Sequence, residues 1–284
     1  MTDPADVRSP VALIAGSGVL PFALADSLQA RGIEPFFIAL KGFCDPQRVA
    51  KYRHRWVAVG QFGAVFTALK SAGCREVALI GGLIRPSVKD LRLDWGGLRL
   101  VSAFLVARRG GDDRLLGATA GFFEKEGFRV VGIQELAPEL LMPEGNLTRA
   151  KPDDAARADI QKASALLEAL SPFDVGQAAV VIDGHVVATE DIEGTDGLLA
   201  RVRRLRESGR IRYQSGRGVL VKAPKKGQDL RFDLPALGPR TIAGVIDAGL
   251  AGIAVVAGHS VVAEPQEMVA AADSAGIFVV GLPA

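Results

Sequence analysis

Between residues 11 and 83, short apolar runs of strand character take turns with runs of helical character, and this alternation constrains the fold more than any other feature. "VALIA" leads through "GSG" into a helix whose apolar positions Phe22, Leu24, Ala25 and Leu28 recur at helical spacing. "PFFIAL" (35–40), "RWVAVG" (55–60) and "EVALIGGL" (76–83) supply three further strands, with "FGAVFTALKSAGC" as the clearest helix between them. After "GGDDRLLGATAGFFEKEG" comes another strand, "FRVVGI". A strand, helix, strand sequence closes as a parallel pair with a right-handed crossover. The first half is therefore predicted to be a Rossmann-like α/β domain.

The alternation stops after "ELAPELLMPEG" and resumes beyond a long alanine- and leucine-rich run opened by Pro152, Asp153 and Asp154. That run reads as a helical linker. The expected organisation is an N-terminal Rossmann-like domain over 8–145, a linker over 146–171 and a C-terminal α/β domain over 172–284. The two α/β modules are expected to face each other across a substrate cleft. In the second, "AAVVI" and "HVVATEDI" flank Asp183-Gly184, a strong hairpin signal.

Charge excludes some classes. With 34 basic and 32 acidic residues the formal charge is +2, too small for the global field of a nucleic-acid binder. Cys44 and Cys74 stand apart and belong to no CxxC pair, which reads as two reduced core thiols. The N-terminal "MTDPADVRSP" lacks a signal pattern, and apolar runs break well before the ~18 residues of a membrane span. A cytoplasmic location is expected.

Candidate chemistry gathers at strand ends. Gly16, Ser17 and Gly18 follow the first strand, where backbone amides and a helix N-terminus can cradle a phosphate; a bare strand-to-helix turn explains them equally well. The third glycine of a dinucleotide fingerprint is missing, and the second strand runs into Lys41 where an oxidoreductase places a ribose-binding acid. Asp112, Asp113 and Arg114 open a helix after a glycine pair, one acid serving as a cap. Glu190, Glu193, Thr195 and Asp196 crowd the end of a strand, and the arginines from Arg201 to Arg210 that follow form a solvated face or offer forked donors to a diphosphate. Most charged of all is the loop Gln228-Asp229-Leu230-Arg231-Phe232-Asp233. Read as extended chain, it turns Asp229, Arg231 and Asp233 to one side and Leu230, Phe232 and Leu234 to the other. Two such carboxylates can hold a hydrated divalent ion, or one can hold the ion while the other handles a proton.

"LIAGSGVLP", "GGDDRLLG", "DVGQAAVVIDGHVVATEDIEGTDGLLAR" and "PKKGQDLRFDLPALGPRTI", in this order along nearly the whole chain, resemble the UDP-2,3-diacylglucosamine pyrophosphatases of the LpxI family of lipid A biosynthesis. The resemblance implies a two-domain hydrolase. It would cleave the diphosphate of UDP-2,3-diacylglucosamine to UMP and 2,3-diacylglucosamine 1-phosphate with Mg2+ present. It also implies Asp229 and Asp233 as catalytic residues and metal ligands. Substrate would be bound by Gly16, Ser17, Gly18, Asp113, Arg114, Gln177, Glu190, Gly194, Thr195, Asp196, Lys222, Gln228 and Arg231. The family pattern places a proline after Lys225, whereas this chain has Lys226, with its proline earlier at Pro224. Contact with the inner membrane and a homodimer are both compatible with the resemblance. Its rivals are a nucleotide-sugar or lipid-nucleotide binder without turnover and a Rossmann oxidoreductase.

Overall fold

The computed structural model describes residues 7–83, 92, 94, 97, 111–173, 175–232 and 234–284. They divide into two compact units, one holding the described residues up to Glu139 together with Asp229 to Phe232, the other the rest from Leu140 onward.

The first unit strings together β1 (Val11–Ala15), α1 (Leu20–Ala30), β2 (Pro35–Leu40), α2 (Pro46–Val49), β3 (Arg53–Val57), α3 (Phe62–Ala72), β4 (Glu76–Ile80), α4 (Gly111–Lys125), β5 (Arg129–Val130) and α5 (Ile133–Leu136). Its sheet has the order β3-β2-β1-β4-β5 and is parallel throughout, with Val11 level with both Pro35 and Glu76. β1 is buried along its whole length, which is why it reads as an unbroken apolar run rather than an alternating one. One face is sealed by aromatic packing between α3 and α4: Phe66 lies 5.2 Å from Phe122 and 5.3 Å from Phe123, ring centre to ring centre. On β2, Phe37 stacks with Phe22 of α1 at 5.6 Å. Each such ring, once buried, contributes about 1.5–3 kcal/mol.

The second unit carries β6 (Gly145–Asn146), α6 (Asp154–Leu170), β7 (Ala178–Ile182), β8 (His185–Thr189), α7 (Gly194–Glu207), β9 (Val219–Lys222), β10 (Ala236–Leu237), α8 (Pro239–Asp247), β11 (Gly252–Val256), β12 (Val261–Val262), α9 (Pro265–Ala275) and β13 (Phe278–Leu282). Six strands lie in the order β6-β13-β11-β9-β7-β8, and β10 pairs separately with β12. β9, β11 and β13 are mutually parallel, while β7 is antiparallel to both β8 and β9. The expected hairpin is present. Asp183 and Gly184 both have positive φ (47° and 77°), as a two-residue I′ turn demands. The buried Asp159 carboxylate accepts both of their amide protons, at 2.9 and 2.6 Å.

The connector expected over 146–171 is instead part of this unit. Ala156, Ile160, Ala163 and Leu167 of α6 are buried against Ala179 and Val181 of β7 and Val219 and Val221 of β9. Ala178, Val180 and Ile182 point to the opposite face, under Leu198, Leu199 and Val202 of α7 and Ile242 and Val245 of α8. A five-residue strand buried on both faces needs a helix layer on each side, and α6 is one of them. Among the described residues, no helix is long and apolar enough to cross a membrane.

Candidate functional site

In the first sheet, crossovers leave β1 toward β2 on one side while β4 lies on the other, so the carboxyl ends of β1 and β4 form the topological switch point where open α/β sheets take ligands. The loops there are clasped together. Ser17 donates its amide to the Gly82 carbonyl at 2.8 Å, Gly82 returns one to Ser17 at 2.9 Å, and the Ser17 hydroxyl reaches the same Gly82 carbonyl at 3.0 Å. A Cβ on Gly16 would stand 2.3 Å from the Gly82 oxygen, so Gly16 is glycine because two backbones meet. Gly18 answers to a different cause: its φ of +96° suits glycine and open space lies beyond it. α1 then starts with no side-chain cap. Ser17 and Gly18 are exposed, and Gly16 is the buried hinge behind them. We predict that Gly16→Ala destabilises the protein by about 1–3 kcal/mol, since the clash is with backbone that cannot rotate away. An unchanged denaturant midpoint would show that the clasp is soft.

The charged loop departs from the extended geometry expected of it. Residues 230–232 form a turn, closed by the Phe232 amide on the Asp229 carbonyl at 3.2 Å. The Asp229 side chain drives it: its Oδ1 takes the Arg231 backbone N–H at 3.0 Å, the local bond that makes aspartate a turn former. Arg231 then grips the same carboxylate with Nε at 3.0 Å and Nη2 at 2.8 Å, while Nη1 holds Glu124 of α4 at 2.9 Å. Gln134 donates to the Leu230 carbonyl at 2.7 Å, and Phe232 packs on the Phe66 and Phe123 cluster. The loop is thus anchored in the first unit by charge, amide and ring. Asp233 lies outside the described residues, as do the side chains of Asp113 and Arg114. The backbone of that pair is in the first turn of α4, the helix start expected of them.

A second constellation lies within the second unit. Glu190 at the end of β8 is buried, and its two oxygens accept the Gln177 backbone N–H and the Thr195 hydroxyl, both at 2.8 Å. It ties the start of β7 to the first turn of α7, where Gly194 has φ +71°. Asp196 pairs with Arg240 at 2.9 Å at the surface. Lys222, 5% exposed at the end of β9, donates to the Ala236 carbonyl at 3.0 Å. Gln228 closes its own loop by accepting the Lys225 amide at 2.8 Å. The Lys226 amide donates to the Ser171 hydroxyl at 2.6 Å, a bond that a proline at this position has no N–H to make.

These residues lie along a chain whose relatives are known. The model of the LpxI N-terminal domain matches residues 10–140, and that of the LpxI C-terminal domain matches 143–280. A Caulobacter vibrioides protein named UDP-2,3-diacylglucosamine pyrophosphatase LpxI is 42% identical over 270 residues, 95% of this chain and 96% of that one.

The chain belongs to the LpxI family.

The two LpxI domain models divide between 140 and 143, beside the division at Glu139 and Leu140 seen in the structure. In this LpxI chain two of the α7 arginines are engaged within the fold: Arg203 pairs with Glu207 and Asp247, and Arg206 holds the carbonyls of Tyr213, Ala248 and Gly249. Glu124 and Gln134, which anchor the charged loop, have no local sequence signal, because each is about a hundred residues from the group it holds (107 and 96). Gly81 and Gly82 carried one, the glycine pair ending β4.

The Arg231 guanidinium bonded to Asp229 holds that carboxyl below its ordinary range. A depressed carboxylate contributes stability that is present above the unfolded pKa, near ~3.9, and is lost as pH falls through the folded value. Arg231→Ala should move the Asp229 titration upward toward ~3.9, read by carbon NMR of the carboxyl group. An unmoved titration would assign the depression to the turn amide instead.

Proposed function

We propose that this chain hydrolyses the diphosphate of UDP-2,3-diacylglucosamine in the cytoplasm, yielding UMP and 2,3-diacylglucosamine 1-phosphate. The observation that carries the reading is identity of 42% to a protein of that name along 95% of the chain, so that both domains are retained. Water adds to phosphorus, the bridging P–O bond breaks, and the two products leave as phosphate monoesters. Such a reaction asks the protein for positioning and charge more than for covalent help. In this reading the exposed Ser17-Gly18 turn meets the diphosphate at the switch point, and Asp233 orients the attacking water. Asp113, Arg114, Gln177, Gly194, Thr195, Asp196 and Gln228 stand along the substrate. Buried Lys222 supplies a cation that is screened little by solvent.

Asp229 is better read as the residue that sets Arg231 than as a metal ligand, since both its oxygens are engaged by that guanidinium. Among the described residues no three His, Cys, Asp or Glu side chains gather as a metal site. Asp229, with both oxygens on Arg231, does not fit as a magnesium ligand, and no step runs through the ion. Dependence on Mg2+ remains part of the proposal as a measurable property: a hydrated ion neutralising the diphosphate needs few protein ligands.

Incubation of purified protein with UDP-2,3-diacylglucosamine and Mg2+ should release UMP, and EDTA should stop it. Substrate retained without UMP would make the protein a binder. Full turnover in excess EDTA would remove magnesium and leave the hydrolase.

A further inference from the structure

Basic charge is unevenly spread. Residues 201–217 hold seven arginines and one glutamate, a charge of +6 in a chain of +2 overall, which leaves the remainder at −4. All seventeen lie in the second unit, along α7 and the loop that follows it. The loop is held firmly. Buried Ile211 plugs it into the core, and Arg206 pins it by donating to Tyr213 O at 2.6 Å and to Ala248 O at 3.0 Å. With Ile211 turned inward, Arg210 and Arg212 on either side are exposed, as is Arg204 on the helix. Among the described residues, Arg204, Arg210 and Arg212 have no carboxylate at ion-pair distance; the nearby acids Glu207 and Asp247 are both spent on Arg203.

Two large apolar side chains stand out beside these arginines. Tyr213 is 37% exposed and Ile246 is 41% exposed. Both flank Arg206, one through its own carbonyl and the other two residues before Ala248. Guanidinium groups without a carboxylate partner, together with an exposed aromatic and an exposed aliphatic side chain, match the water interface of an anionic bilayer: charge draws the face to headgroups and the apolar pair enters between them. Single-stranded nucleic acid would ask for several stacking platforms, and this face has one aromatic ring.

We propose that the face formed by Arg204, Arg210, Arg212, Tyr213 and Ile246 docks the protein on an anionic lipid surface. The inference rests on the reading of the substrate as a lipid-linked nucleotide, which resides in a bilayer. The test is sedimentation of the full chain with phosphatidylcholine vesicles containing or lacking phosphatidylglycerol. Binding should require the anionic lipid and weaken as salt is raised. Arg204→Glu with Arg210→Glu and Arg212→Glu should reduce partitioning on the order of a hundredfold. The same charge change placed elsewhere, Lys51→Glu with Arg55→Glu and Lys125→Glu, should alter it by no more than a few fold. Tyr213→Ser with Ile246→Ser should weaken it about tenfold and leave the salt dependence intact. If the arginine triple does not fold, Arg210→Glu alone should cost about fivefold. Equal losses in both charge triples, or wild-type binding by the arginine triple, would overturn the proposal. So would tighter binding to a nucleic-acid oligomer than to the vesicles. Hydrolysis of detergent-dispersed substrate should be the same in wild type and arginine triple. If the wild type does not hydrolyse it, the hydrolase reading fails while the vesicle result stands by itself.

Discussion

Asp233→Ala should lower the turnover of UDP-2,3-diacylglucosamine by about a hundredfold to ten-thousandfold, the range expected when a positioned acid or base is removed. The residues around Asp233 carry the argument. On its amino side, Phe232 packs on the first unit's aromatic cluster, and Arg231 and Leu230 are bonded to Glu124 and Gln134. On its carboxyl side, Pro235 accepts the Val261 amide at 2.8 Å and Ala236 accepts Lys222 at 3.0 Å. The chain neighbours of this acid are thus held by hydrogen bonds and packing. The loss should fall on kcat more than on KM, because an aimed water matters chiefly in the transition state. The thermal midpoint should stay within a degree or two, since the anchoring contacts of its chain neighbours remain in the variant. Turnover within threefold of wild type, at saturating substrate and magnesium, would move the search for the catalytic acid to Asp112, Asp113, Glu190 and Asp196.

Glu190→Ala should destabilise the protein by about 2–4 kcal/mol, because it removes the buried carboxylate that accepts from two part-buried donors, each costing about 1–3 kcal/mol when left unpaired. For a chain of this size the midpoint should fall by roughly 5–12 °C. Glu190→Gln separates geometry from charge. Its amide oxygen can still accept from the Gln177 backbone, and its NH2 can donate to the Thr195 hydroxyl, which simply turns round. The glutamine variant should therefore lie close to wild type in stability and activity. If it is as damaged as the alanine variant, the negative charge itself is needed, and Glu190 belongs with the substrate contacts rather than with the framework beneath them.

Much of the framework was legible because its causes are local. Runs such as "VALIA" and "AAVVI" are apolar along their length because helices cover both faces of the sheet. Asp183-Gly184 takes positive φ at both positions, which few other pairs do cheaply. The connector helix was misplaced for an equally physical reason. The polar and small residues of α6 give it a modest apolar stripe, and only the facing positions of β7 and β9 show that this stripe is part of a core.

The site divides along the same line. Sequence by itself determined the elements, their order, the glycine-bearing strand ends and the loop that concentrates acids, because hydrophobic period and turn chemistry act between residues a few positions apart. Tertiary structure alone decided what those residues touch. It set Gly16 against Gly82. It placed Glu124 behind Arg231 and made Glu190 a buried tie between β7 and α7. The Gly16–Gly82 and Glu124–Arg231 contacts join groups brought together by sheet order or by the packing of distant segments, and no short window of sequence records the partner across the fold.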